Sequence, residues 1–147
     1  EKIKEILKTM GNPTLVGPAG SGQVAKLCNQ IIVGVTIGAV AEAVILCEQV
    51  GANPENFIKA VAGGFADSKI LQNHGARMIK KDFAPRGKSI THLKDMDNIL
   101  KCAKDVSISL PISKLIQSMY QNLVDRGLGN DDHSALYKEI LERNKKK

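Results

Sequence analysis

The chain has 147 residues, of which 43% are hydrophobic, 24% charged and only 3% aromatic, with no Trp. This length and balance exclude a disordered chain and fit one globular domain, and so few aromatics argue against a sandwich or barrel of short strands. The formal charge is +6, three of it from the terminal lysines 145–147; the basic residues elsewhere are scattered and lack stacking aromatics, which speaks against a nucleic-acid partner.

Residues 1–10 place Ile3, Ile6 and Leu7 at helical spacing ahead of Gly11, and read as a short amphipathic helix. Residues 12–18 follow as a linker or a single extended stretch. From Ser21 or Gly22 to Val50 the pattern is one long helix, stopped by Gly51. Between Leu27 and Ala41 it carries no charge, is apolar on every side, and holds Gly34 and Gly38 four residues apart. Such a helix lies buried at a core or crosses a bilayer. Asn29, Gln30, Glu42 and Glu48 interrupt it and no second span accompanies it, so a buried central helix is expected and no membrane. The remaining helices of so small a domain would not wrap it fully, and a second copy of the chain is expected to cover the rest.

Asn53-Pro54-Glu55 is a strong helix start, with a capping Asn, a Pro in the first turn and an acid at the positive end. That helix runs to about Ala62. Others are predicted over 68–80, 89–106, from Pro111 to the glycines at 127–129, and over 133–145. No run alternates like a strand, so the fold class is all-α, built around one long buried central helix. Cys28, Cys47 and Cys102 form no CxxC pair and no even framework, which suits a reducing, cytoplasmic setting. The absence of a basic-then-apolar leader predicts no secretory signal, and the start at Glu1 predicts a fragment or processed chain.

Gly17-Pro-Ala-Gly20-Ser-Gly22 precedes the long helix, where backbone N–H groups can receive an anion. The spacing GxxGxG is neither the dinucleotide fingerprint nor a P-loop, because Gln23 stands where a P-loop needs Lys. It reads either as an anion site or as a tight turn. Residues 86–89 end like a P-loop, but Asp82 stands where the first Gly should be.

Lys26 is the sharper anomaly, one turn inside the apolar helix with Asn29 and Gln30 on its face at i+3 and i+4. Burial there would depress the ammonium's pKa, and such a group beside an amide suits proton transfer to a carbonyl or alkoxide oxygen. The plain alternative is a lysine that snorkels to water. Lys94, Asp95 and Asp97 read alone as a solvated face. His74, His92 and His133 lack ligand spacing and clustered partners, so no metal site is expected. Asp131-Asp132-His133-Ser134 reads as a helix cap, since consecutive side chains diverge too far for a triad.

The run Gly20-Ser-Gly22-Gln-Val-Ala-Lys26-Leu-Cys-Asn29 resembles the GxGxxxKxxN signature of the β-hydroxyacid dehydrogenases. Gly63-Gly64-Phe65-Ala66, His92-Leu-Lys94-Asp95, Leu110-Pro111 and Gly127-Leu-Gly129-Asn-Asp-Asp-His133-Ser134-Ala135-Leu136 agree in order, across essentially the whole chain. The last stretch is most similar to the tartronate semialdehyde reductase (2-hydroxy-3-oxopropionate reductase) side of the family, beside 3-hydroxyisobutyrate dehydrogenases and glyoxylate/succinic semialdehyde reductases.

The resemblance implies a 6-phosphogluconate dehydrogenase-like C-terminal helical domain over 19–147. Residues 1–18 would lead from a Rossmann domain that binds most of an NAD or NADP cofactor. It implies Lys26 as the catalytic proton donor and acceptor. Asn29, with Gly22 and Ser21, would bind a small semialdehyde or hydroxy acid, and Lys94 and Asp95 would face the cofactor. It implies a homodimer or higher homo-oligomer formed through the long helix, and an isolated domain without activity. A helical dimerisation module with no chemistry of its own is the alternative of another class. One departure is that several relatives place a Phe against the substrate where this chain has Gly87, eight residues before Asp95.

Overall fold

The computed structural model describes residues 3–145; Glu1 and Lys2, where the first predicted helix begins, and Lys146 and Lys147 of the basic tail lie outside them. Among the described residues there is no strand, only an isolated antiparallel bridge between Lys88 and Asp132. Helix α1 is shorter than predicted, Lys4–Lys8, with no buried residue, and an irregular stretch leads from it to Gly20. Gly20 takes φ +93 as the N-cap of α2, a left-handed conformation that a side chain would oppose.

Helix α2 spans Ser21–Gln49 and is the axis of the domain. Asn53 caps α3 (Pro54–Val61) by accepting the Asn56 N–H at 2.8 Å. The run predicted over 68–80 contains a π-helical turn, Leu71–Gly75, before α4 (Ala76–Lys80). Helices α5 (Ser89–Asp105) and α6 (Pro111–Leu123) follow, and α6 passes into a second π-helical turn, Val124–Leu128, broken at Gly127 with φ +78. A single 3₁₀ turn, His133–Ala135, opens α7 (Leu136–Arg143).

The small residues of α2 are where other helices cross it. A methyl group on Gly34 would lie 2.6 Å from His92 Nε2 on α5, and one on Gly38 would lie 2.9 Å from Ile116 Cδ1 on α6. The pair at i and i+4 thus marks a close helix crossing inside a core. Beyond it Ile37, Ala41 and Val44 are fully buried against a cluster that includes Met78, Met96, Tyr120, Leu123 and Leu136. Full burial of a side chain the size of Ile37 or Val44 contributes roughly 1.5–3 kcal/mol, that of Ala41 less.

The other helices of the chain cover α2 only in part, as expected for so small a domain. All of the buried residues of α2 lie from Gly34 onward. Val24, Ile32, Leu46 and Val50 are half-exposed or more. The helix is long and apolar enough to cross a bilayer, yet it is packed as the core helix of a helical bundle. The five other α-helices that pack around it cover it most fully from Gly34 onward; before that, Leu27 and Ile31 pack against the core and the opposite side is open.

Candidate active site

Gly22, Lys26 and Gln30 follow one another at i+4 and share the open face of the first half of α2. The Lys26 ammonium donates to Gln30 Oε1 at 2.8 Å, and Asn29 Nδ2 donates to the same oxygen at 2.9 Å. Gln30 Nε2 donates in turn to Asp95 Oδ2 on α5 at 2.7 Å. Chemistry dictates this amide orientation, because a carboxylate only accepts and an ammonium only donates. Lys94 Nζ stands 3.9 Å from the other Asp95 oxygen, with its side chain 69% exposed. The four groups form one continuous line from Lys26 across the helix crossing to Lys94.

Asp95 is rigidly carried. Its neighbour Met96 is fully buried, and His92 and Ile99, one turn to either side, are each 2% exposed. Lys26 is exposed, so the expected desolvation is absent and this part of the reading is corrected. Asn29 and Gly22 are exposed as well, Ser21 is half-buried, and nothing lies within 4 Å of where a Gly22 side chain would begin. These groups therefore present N–H donors to open space at the N-terminal end of a 29-residue helix, an arrangement that attracts anions.

A second polar cluster lies where α5 meets the π turn and the 3₁₀ turn, and here the sequence-based expectation fails. The three histidines do converge: His74 Nε2 and His133 Nε2 are 2.7 Å apart, and the His92 and His133 rings lie edge to face with centroids 5.5 Å apart. Burial, then the neighbouring His133, holds His74 at about 4, well below an ordinary imidazole. His92 is likewise pushed down to about 4 by burial first and His133 second. Burial also lowers His133.

Asp132 is fully buried beside them. Burial raises its carboxyl, but hydrogen bonds from Ser134 and Gly87 outweigh this and hold it at about 2. The ligand atoms of His74, Asp132 and His133 lie within 4.8 Å of one another. Two observations argue against an ion among them. The Asp132 carboxylate already accepts from Ser134 N and Oγ, Arg86 N and Gly87 N, and pairs with Arg77 at 3.3 Å. The two imidazole nitrogens are also closer than the ~3.3 Å that tetrahedral ligation at zinc would set between them. The Asp132 carboxylate is thus saturated, while His74 Nδ1 and His92 Nε2 are buried without a partner, and Asp132 is the cap read from the sequence, accepting from Ser134 N. Gly87 belongs here too: a methyl group on it would lie 3.4 Å from the His133 ring, in van der Waals contact with the imidazole.

Of the residues singled out beforehand, Lys26, Asn29, Lys94 and Asp95 come together, and Gly22 shares their face. Gln30, the hub that joins them, was visible only as a neighbour of Lys26 at i+4. Its partner Asp95 lies 65 residues away, and nothing local announces it. Histidines at 74, 92 and 133 gave no spacing signal, because the fold alone brings them together.

A family profile described as NAD-binding of NADP-dependent 3-hydroxyisobutyrate dehydrogenase matches residues 20–140. The chain is 40% identical over 141 residues to 2-hydroxy-3-oxopropionate reductase of Escherichia coli (strain K12), covering 95% of this chain and 48% of that protein. Its structure is similar to that of a 3-hydroxyisobutyrate dehydrogenase from Salmonella typhimurium, with a TM-score of 0.76 at 27% identity over 81% of this chain and 42% of the other. A 3-hydroxyisobutyrate dehydrogenase from Mycobacterium tuberculosis, solved with L-serine, superposes with a TM-score of 0.84 over 95% of this chain and 50% of the other, and at 21% identity speaks for the fold alone. The chain thus spans about half the length of the relatives it matches.

Proposed function

The chain belongs to the family described as the NAD-binding domain of NADP-dependent 3-hydroxyisobutyrate dehydrogenase, and from that premise we propose that it is the helical half of a two-domain oxidoreductase. The reaction interconverts a small 3-hydroxy acid and its semialdehyde, with 2-hydroxy-3-oxopropionate as the favoured substrate. Residues 1–18 lead from the dinucleotide-binding domain and 19–147 form the helical domain, in the cytoplasm. The observation that carries this reading is Lys26, held by Gln30 on an exposed face with its remaining N–H groups directed at open space.

The donor set fits an anionic cofactor and an anionic substrate. Lys94 and the N-terminal turn of α2 at Ser21 and Gly22 supply positive potential for a phosphate or carboxylate. When bound, the nicotinamide supplies the two-electron redox chemistry. As the carbonyl carbon is reduced, negative charge builds on its oxygen. The Lys26 ammonium uses one N–H for Gln30 and has two left to stabilise that oxygen and then protonate it. In the oxidising direction the neutral amine takes the proton from the substrate hydroxyl. Asn29 keeps its second N–H and its carbonyl oxygen for a substrate hydroxyl or carboxylate.

The test is nicotinamide oxidation by the full-length protein with tartronate, methylmalonate and succinate semialdehydes, in wild type and Lys26→Ala. A fall in kcat of roughly a thousandfold with the fold intact is expected, whereas equal rates would reduce Lys26 to a surface lysine. The same reading pairs two copies along α2, where Val24 and Ile32 are exposed. A monodisperse monomer by light scattering would overturn that pairing.

A further inference from the structure

We infer that Gln30 is the positioning residue for Lys26 and that Asp95 acts through Gln30 instead of contacting the cofactor; this rests on Lys26 being the proton-transfer group. A lysine side chain carries ~2 kcal/mol of rotamer entropy, and an exposed one samples many positions. Lys26 is held to one by Gln30 Oε1 at 2.8 Å. Gln30 is itself flexible, and what fixes it is the 2.7 Å bond from its Nε2 to Asp95 Oδ2.

Asp95 belongs to a packed stretch of α5, flanked by Met96 in the core and by His92 one turn earlier. The positional precision of the packed core therefore reaches an exposed ammonium through one amide. Asn29 joins from the side, donating to the same Gln30 oxygen at 2.9 Å, which fills that oxygen and locks the amide against a flip. By contrast Lys94 meets Asp95 only at 3.9 Å, so the carboxylate's short bond is the one to Gln30.

The amide does two things that a carboxylate could not do in its place. It accepts from the cation at one end and donates to the anion at the other, so the Asp95 charge polarises it toward Lys26. A glutamate at 30 would keep the acceptor but turn a second anion toward Asp95.

The experiment uses the full-length enzyme with Lys26→Ala, Gln30→Ala, Gln30→Glu, Asp95→Ala and Asp95→Asn, each checked for folding by circular dichroism. Gln30→Ala and Asp95→Ala are expected to lower kcat by about tenfold to a hundredfold while both KM values stay within about threefold. Gln30→Glu should lose as much as Gln30→Ala. Asp95→Asn should recover most of what Asp95→Ala loses, because its amide oxygen still accepts from Gln30. A Gln30→Ala enzyme at wild-type kcat beside an inactive Lys26→Ala enzyme would overturn the positioning role alone. A raised cofactor KM with unchanged kcat in Asp95→Ala would overturn it as well, in favour of a cofactor contact. A fully active Lys26→Ala enzyme would instead overturn the proposed function on which the inference rests.

Discussion

Two polar clusters sit on the first half of α5, and they are built on opposite terms. Around Asp132, His74, His92 and His133 the groups are buried or half-buried and the carboxylate's acceptor positions are filled. Along Lys26, Gln30, Asp95 and Lys94 the groups run from the core out into water, and the donors at the outer end still have N–H groups to give. A saturated buried carboxylate stabilises a fold and has nothing left for a ligand. A tethered ammonium in water contributes little to stability and keeps its chemistry for something that arrives later. What differs is whether the charged groups keep hydrogen-bonding capacity: the Asp132 carboxylate has none left, whereas the Lys26 ammonium does.

The contrast predicts a separation of effects. Lys26→Ala should change the unfolding free energy by less than about 0.5 kcal/mol while removing the roughly thousandfold rate contribution. Denaturant titration beside steady-state kinetics checks both, and a large stability loss would place Lys26 among the structural residues. Asp132→Ala should do the reverse at the other cluster. It strands the Arg77 guanidinium and the N–H groups of Arg86, Gly87 and Ser134, at a cost of roughly 3 kcal/mol. Urea unfolding of the chain reads this directly, and a loss below about 1 kcal/mol would show that the cluster is not a structural anchor.

Acid gives a third test, and its sign follows from the histidines. His74 and His92 titrate at about 4 in the fold against 6.5 in an unfolded chain. Between those values the unfolded state holds more protons, so their stability contribution is complete above pH 6.5 and is lost as pH falls toward 4. The melting temperature should drop by roughly 5 °C between pH 7 and pH 5, and His74→Gln should flatten that dependence. An unchanged melting temperature across the window would mean that the imidazoles are better solvated than the structure indicates. The last test lies at the helix crossing. Gly34→Ala pushes a methyl group to 2.6 Å from His92 Nε2, and a cost of roughly 1–3 kcal/mol is expected. Gly38→Ala should be milder, because the Ile116 methyl it meets is the free end of a side chain that can turn away.

Much of this architecture was legible from local chemistry. The Asn53-Pro54 start, the Gly51 stop of α2 and the start of α5 at Ser89 follow from propensities and caps that act within a few residues. The i, i+3 and i+4 grouping of Lys26 with Asn29 and Gln30 is helix geometry, and it needed no tertiary contact. Two local readings still missed detail. The π turns at Leu71–Gly75 and Val124–Leu128 were not foreseen, since hydrophobic period does not distinguish a single wide turn from an ordinary one. For α2, an all-apolar composition announced incomplete cover by so few neighbours without saying which residues stay open.

Periodicity, capping residues and the absence of strand alternation were enough to establish an all-α chain with one dominant helix and a lysine of interest near its start. Those are short-range properties, encoded in spacings of three or four residues. Which carboxylate holds Gln30, which histidines meet, and which half of the long helix stays open depend on pairs as much as 65 residues apart. Such pairs are decided by packing: α5 lies on α2 at Gly34, where the missing side chain leaves room for the His92 ring and Met96, and that packing sets Asp95 beside Gln30.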